Sequence, residues 1–532
     1  MIPASILPLA VTLCLTLVGG IGFIRAQKIG RRAALLINIL CVGGMAAAAG
    51  SAILLGLSGS SSHTIASWGM VAFGTRIDIV SVTMLCLVAF LAWVILRYSL
   101  NYLRGEKRQG AFIGFMGLTL ASVTGLVQSD NLIQLAFFWM LTSLLLHRLL
   151  LFYRDRAGAK RAQRKKFVIA RIGDVALISA IVLTYLHFHT VTFGQLAQMS
   201  TSVPEGTPVG LITALFVIAA MMKSAQFPTH GWITEVMETP TPVSALLHAG
   251  IVNAGGFLII RLADIMVLAP LTMAVLAAIG LVTALFASAV MMTQTAEKTT
   301  LGWSTISQMG FMMVQCGLGL FALALLHIVA HSLYKAHAFL SSGSAIDRVR
   351  SHKKLGRQAP VTIGKAALAF GVAVVVCGGV GAAFGAEDKA PQAIALGLVL
   401  VVGLTQLMLS GLRETGGAMA ALWVGLLSLV MSSVYFGLHA GTEWLGSALL
   451  PAAPMPDGAM WGVIGVLVIG FAGLSIIQVM LPKIAATPLM TTARVHLANG
   501  LYINVVFDRL AGTWSTRKTV AIAHADQSGE KS

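Results

Sequence analysis

Apolar residues come in runs of about twenty along most of the chain, and runs of that length predict membrane-spanning helices. They fall near 3–24, 33–57, 78–98, 110–128, 131–153, 166–188, 207–225, 240–262, 269–291, 301–318, 320–342, 361–384, 391–410, 415–437 and 460–481, about fifteen in all. Lipid offers backbone N–H and C=O groups no partner, so each span is expected to be helical. The fold class is therefore all-α, a polytopic membrane protein. The first run has no basic stretch before it and reads as a spanning helix, not a cleaved signal.

Composition agrees. Of 532 residues 57% are hydrophobic and 10% charged, with a mean hydropathy of +0.86. Soluble globular domains carry about 25% charged residues, and disordered chains are far more polar. The net charge of +17 arises from 36 Lys and Arg against 19 Asp and Glu. It does not point to nucleic acid, because the basic residues alternate with the spans. Arg25, Lys28, Arg31 and Arg32 follow the first span, and Arg97, Arg104, Lys107 and Arg108 the third. Arg148, Arg154, Arg156, Lys160, Arg161, Arg164, Lys165 and Lys166 follow the fifth, Lys298 the ninth, and Arg348, Arg350, Lys353, Lys354 and Arg357 the eleventh. Loops after even-numbered spans carry almost none, Arg76 and Lys389 excepted. The positive-inside rule then predicts an external N-terminus and a cytoplasmic C-terminus. The more polar segment 483–532 lies on the cytoplasmic side, and its stretch 495–510 is expected to form a helix along the membrane or against a partner. Cys14, Cys41, Cys86, Cys316 and Cys377 all sit in apolar runs, spaced for neither a disulfide framework nor a metal site.

Ionisable groups within hydrocarbon mark ion paths, partner sites or paired structural charges. Lys223 ends an apolar span just before Pro228, where a helix break is expected. A lysine beside such a break either snorkels to the surface or holds and passes a proton. His230, Glu235 and Glu238 follow, ahead of a helix opened by Pro242, whose dipole favours nearby carboxylates. His248 lies two turns into that helix, either as a hydrogen-bonded core residue or as a relay. His327, His331 and Lys335 are spaced by four and share one helical stripe. Imidazoles and a lysine on a buried face can form a proton wire. Two histidines four apart also suit zinc, but the metalloprotease glutamate is absent and no metal is assigned to this chain. Arg171 and Asp174 form an i,i+3 pair that neutralises itself or supplies Lys223 with a counter-ion.

These residues carry a resemblance. Lys223-Ser-Ala-Gln-Phe-Pro-Thr-His-Gly-Trp and Met237-Glu-Thr-Pro-Thr-Pro-Val-Ser-Ala-Leu-Leu-His248-Ala resemble the signature of the antiporter-like subunits of respiratory complex I, subunit L and the Mrp cation antiporters. Arg171-Ile-Gly-Asp174, Thr293-Gln-Thr, Ser304-Thr-Ile-Ser-Gln-Met-Gly310 and His331-Ser-Leu-Tyr-Lys-Ala match the same family, over about 110 to 345. The resemblance implies two inverted five-helix repeats with broken helices. It divides the chain into N-terminal spans (1–109), a first repeat (110–262), a second repeat (263–410), C-terminal spans (411–482) and a cytoplasmic amphipathic segment and tail (483–532). It implies a proton or cation path through Lys223, Asp174, His248, His327, His331, Lys335 and Glu238, with Arg171, Glu235 and His230 paired or supporting.

The departures narrow the reading. Met140 stands where the family has a glutamate after Phe-Trp, Ala296 where it has an aspartate, and Ala383-Phe-Gly-Ala-Glu-Asp-Lys389 replaces its second lysine motif. The stretch from Leu141 to Arg154 resembles the membrane-subunit family of the DAB inorganic-carbon accumulation system. That resemblance implies a cation-conducting subunit in the bacterial inner membrane, without a cofactor of its own. Its partner would be a large soluble, zinc-binding, carbonic-anhydrase-like subunit on the cytoplasmic face, and H+ or Na+ would drive CO2 hydration. The alternatives are a proton-pumping or antiporter subunit of NADH-quinone oxidoreductase or an Mrp antiporter, and a membrane scaffold that conducts nothing.

Overall fold

A computed structural model describes residues 6–69, 71–153, 157–236, 239–344, 363–385, 389–415 and 418–511. The N-terminal third holds α1 (Ile6–Ile24), α2 (Arg31–Ser58), a hairpin of β1 (Ser61–Trp68) and β2 (Val71–Ile77), α3 (Ile79–Tyr102), α4 (Gln109–Val127), α5 (Leu132–Leu150) and α6 (Ala157–Phe188). The centre holds α7 (Phe193–Met199), α8 (Val209–Lys223), α9 (Gly231–Glu235), α10 (Thr241–Ala249), α11 (Ala254–Arg261), α12 (Ala263–Met266), α13 (Pro270–Met291), α14 (Glu297–Gly317) and α15 (Phe321–Leu340). Then follow α16 (Ile363–Ala383), α17 (Pro391–Thr415), α18 (Ala418–Gly446), α19 (Gly458–Ile484), α20 (Pro488–Ala498) and α21 (Ile503–Ala511).

Every apolar run folds mainly as helix where described, with the run near 240–262 broken after Ala249. Thirteen described helical segments are long and apolar enough to cross a membrane. The other two of the expected fifteen are α8, with 15 residues, and α14, with 21 residues but diluted by Lys298, Gln308 and Gln315. Polar caps fix several ends. Asp78, Asn131 and Asp457 accept from the backbone N–H groups of Ser81, Gln134 and Met460 and open α3, α5 and α19.

Three features differ from the sequence expectation. The loop between the second and third spans folds as an antiparallel hairpin, with Ser61 opposite Ile77 and Trp68 opposite Val71. Gln134 pins it to α5, bonding both the N–H and the C=O of Gly74 at 2.9 Å. The sixth span begins at Ala157, well before the apolar run, and draws Lys165 and Lys166 out of the loop onto the buried face of a helix. The stretch expected as one helix over 495–510 is two, α20 and α21, turned at Leu501 and Tyr502 with φ of 50° and 60°.

One large hydrophobic cluster joins α1 to α15 with parts of α17 and α19. A second, smaller cluster built on Ala369, Ala373, Cys377, Val401, Leu404 and Met408 holds α16 to α17. Small residues let helices approach closely. An ideal Cβ on Gly310 of α14 would lie 2.6 Å from Ala284 N and Gly280 O of α13.

Candidate functional site

Helix α8 ends at Lys223, and the chain turns before α9 restarts at Gly231. The break leaves the Lys223 ammonium buried. It donates to Ser143 Oγ at 2.9 Å and Trp139 O at 3.2 Å, and lies 4.5 Å from the centre of the Trp139 ring. Lys166, buried as well, donates to Ser143 O at 3.2 Å. Two ammonium groups therefore converge on one serine. Lys166 went unrecognised in the sequence because it closes a run of basic residues that reads as a loop. Asp174 pairs with Arg171 (2.6 Å) rather than with Lys223. It nevertheless shares a cavity of about 20 Å³ with Lys166, Lys223, Trp139 and Ser143, room for about one water.

The next span is also broken. Helix α10 stops at Ala249, a 3-10 turn covers Ile251–Asn253, and α11 resumes. Lys223, Thr142, Asn253 and Ser332 line a second cavity of about 30 Å³ against this break. Asn253 Nδ2 donates to Ser332 Oγ at 2.8 Å. That contact reaches α15, where His331 and Lys335 are buried and the His327 and His331 rings are 5.9 Å apart. Lys335 donates to Ser304 Oγ at 2.7 Å and Leu301 O at 3.2 Å. His248 stacks on Phe339, 4.4 Å centre to centre. Neither ring nitrogen of His331 meets a protein partner among the described residues. Polar side chains thus run from Lys166 through Lys223, Asn253 and Ser332 to the histidine stripe.

The supporting residues divide. Glu235 accepts from Lys165 at 2.5 Å and closes the short α9 instead of opening α10. Glu238 lies outside the described residues. His230 packs against Phe227, Phe286 and Trp303, where burial and the Lys165 charge lower it to about 4. It is therefore a neutral aromatic at physiological pH. The C-terminal segment closes over this region. Phe507 places its ring 5.5 Å from Lys165 Nζ, and Asn504 Nδ2 meets Thr234 Oγ1 at 3.5 Å.

A second ionic cluster lies at the opposite ends of the helices. Arg261 grips buried Asp78 through Nη1 (2.5 Å) and Nη2 (3.2 Å). Arg76 Nε meets the same carboxylate at 2.6 Å, and Arg76 Nη1 reaches Asp130 at 3.5 Å. Burial raises the Asp78 carboxyl, but the Arg261 and Arg76 guanidiniums and the Ser81 N–H outweigh it and hold it below the usual carboxylate range. Asp130, with weaker help from Arg76, is raised by burial. Among the described residues no three His, Cys, Asp or Glu side chains converge to hold a metal ion.

A helical membrane bundle threaded by buried lysines and histidines defines an antiporter-like membrane subunit. Residues 129–360 match the NADH:quinone oxidoreductase/Mrp antiporter transmembrane family, and residues 68–113 match the N-terminus of complex I chain 5. The chain is 36% identical over 457 residues to the probable inorganic carbon transporter subunit DabB2 of Halothiobacillus neapolitanus, covering 84% of this chain and 81% of that one. It is 37% identical over 399 residues to the probable inorganic carbon transporter subunit DabB of Hydrogenovibrio crunogenus, covering 68% and 76%. The chain belongs to the complex I/Mrp antiporter membrane-subunit family. A chain of the Mrp complex from a Dietzia species shares its fold, with a TM-score of 0.55 at 21% identity over 98% of this chain and 60% of that one.

Proposed function

We propose that this chain is the cation-conducting membrane subunit of an inorganic-carbon uptake complex. An ion gradient moving through it would drive CO2 hydration to bicarbonate on a large soluble, carbonic-anhydrase-like partner that holds the zinc. The observation that carries this is the series of buried polar groups, with Lys166 and Lys223 meeting at Ser143, Lys223 sharing a cavity with the bonded pair Asn253 and Ser332, and His331 and Lys335 buried on the helix of Ser332. The inorganic-carbon naming of relatives that span most of the chain supports the substrate class. Lys223 is the central protonatable site, with Asp174 acting on it across their shared cavity. His248, His327, His331 and Lys335 relay charge between two inverted repeats, 110–262 and 263–410, and Glu238 sits at the cytoplasmic end. Protons are the driving ion, with Na+ the other candidate. The chain lies in a bacterial inner membrane, N-terminus outside, and the partner docks on the basic cytoplasmic face.

A second reading, a proton-pumping or antiporter subunit of NADH-quinone oxidoreductase or an Mrp complex, is favoured by the fold shared with the Mrp chain. The test that separates them is growth of a host lacking carbonic anhydrase, in air against high CO2. Rescue by this chain with its genomic neighbour, lost in Lys223→Ala and on collapse of the ion gradient, is the expected outcome. A well-assembled pair that fails to rescue but moves cations with NADH oxidation or against a gradient establishes the second reading.

A further inference from the structure

The spans beyond α15 carry an ionic cluster that the path above does not use. Helix α18 places Ser428, Ser432, Tyr435, His439 and Glu443 at spacings of three and four, hence on one face. The stripe extends about 22 Å at 1.5 Å per residue, most of a hydrocarbon layer of about 30 Å. Ser428, Ser432 and His439 are buried, and Ser432 Oγ meets no protein partner among the described residues. At the end away from the basic loops both Glu443 oxygens are engaged. His439 Nε2 lies 3.0 Å from Oε1, and Lys389, from the turn before α17, donates to Oε2.

Lys389, Tyr435 and His439 wall a cavity of about 380 Å³ between α16, α17 and α18, otherwise lined by apolar residues and glycine. Its remaining titratable lining group is Cys377 of α16, and α15 and α19 contribute none. A helix staple needs one cation for one carboxylate. Here the carboxylate has an imidazole as well, and the imidazole heads a buried polar stripe.

We propose that His439, Glu443 and Lys389 form a second protonatable site, by which protons pass between the chain and the face opposite the basic loops. The proposal rests on the cation-path reading above. An imidazole that gives a proton from Nε2 to Glu443 and takes one at Nδ1 returns to its starting charge. Lys389 donates to the other oxygen and positions the carboxylate for the imidazole.

The test uses the full chain assembled with its partner in membranes, with pH set independently on the two sides. His439→Gln and Glu443→Gln are expected to lower carbon uptake about a hundredfold, since positioned proton-transfer groups contribute that much or more. They should also flatten the dependence on outer pH and leave the inner-pH profile unchanged. The charge-reversed double variant Lys389→Glu/Glu443→Lys rebuilds the ion pair and should assemble yet stay inactive. Wild-type uptake and outer-pH profile in both single variants, or an active reversed pair, would overturn the proposal provided Lys223→Ala still abolishes uptake. If Lys223→Ala is also silent, the cation-path reading falls and this site with it.

Discussion

Asn253 Nδ2 donates to Ser332 Oγ at 2.8 Å and to Ala249 O at 3.0 Å. The same side chain bonds across its own helix break and fastens the break to α15. It also walls the cavity that Lys223 enters. Asn253→Leu preserves much of the volume but removes both donors. Carbon uptake is expected to fall about tenfold, less than the roughly hundredfold loss of an ionising relay group. Ser332→Ala removes one of the two bonds and should cost less. Assembled complex in the membrane, measured beside uptake, separates loss of conduction from loss of folding.

Lys166 and Lys223 meet at Ser143, one on its carbonyl and one on its hydroxyl. A lysine in a solvated basic loop is dispensable. A lysine sealed inside α6 beside a second ammonium is not. Lys166→Met is expected to lower uptake about a hundredfold, comparable to Lys223→Met, because each removes a positioned proton carrier. Val182→Ala, on an exposed side chain of α6 that lines neither cavity, should leave uptake within about twofold of wild type. Initial rates at matched ion gradient would decide it. Equal rates in Lys166→Met and wild type would return Lys166 to the loop class.

The spans were legible because lipid leaves a long apolar run one way to fold. The stripe His327, His331, Lys335 was legible because helical period puts it on one face. The hairpin was not, since 61–77 is short and mixed in polarity, and its place is fixed by distant side chains, Gln134 on Gly74, Asn131 on Ala72 O and Asp130 on Arg76. Nor was Lys166, because charge alone cannot say how far a helix extends beyond its apolar run. Pairings such as Asp78 with Arg261 or Lys389 with Glu443 join distant parts of the chain and leave no local period. Yet a signal existed. Arg76 and Lys389 are the two basic residues that break the loop-charge alternation, and both are held by acids, Arg76 by Asp78 and Asp130, Lys389 by Glu443.

The Asp78–Arg261 pair should matter to stability more than to conduction. Both side chains are buried, and the pair ties the start of α3 to the end of α11. Removing one partner of a buried pair costs about 3–5 kcal/mol when the other charge is left unpaired, and the lower end applies here because Arg76 Nε stays 2.6 Å from the Asp78 carboxylate. Arg261→Met should therefore lower the melting temperature in detergent sharply, and Asp78→Asn/Arg261→Met should recover part of the loss. The pH dependence has a definite sign. The folded Asp78 carboxyl titrates below its unfolded value. Its contribution is complete above the ordinary aspartate range, near about pH 4, and is lost only as pH falls through the lower folded value. A melting temperature in Arg261→Met equal to that of wild type near neutral pH would refute the assignment.

Gly310 offers a test that links packing to the site. Its nearest neighbours at the Cβ position are Ala284 N and Gly280 O at 2.6 Å and Ala284 Cα at 3.0 Å, all backbone of α13. Nothing there is a side-chain tip that can swing away, so even Gly310→Ala must push α14 from α13. Overpacking of this kind costs about 1–3 kcal/mol. Gly425 of α18, with open space at its Cβ position, is the control, and Gly425→Ala should melt like wild type. The displacement has a second consequence. Helix α14 carries the Leu301 carbonyl and the Ser304 hydroxyl that hold the Lys335 ammonium. Gly310→Ala should therefore slow uptake per assembled complex as well as lower the melting temperature. Ser304→Ala, which leaves the helix seam intact, should slow uptake with little change in melting. Gly310→Ala complexes that melt early but conduct at the wild-type rate would show that Lys335 does not depend on the position of α14.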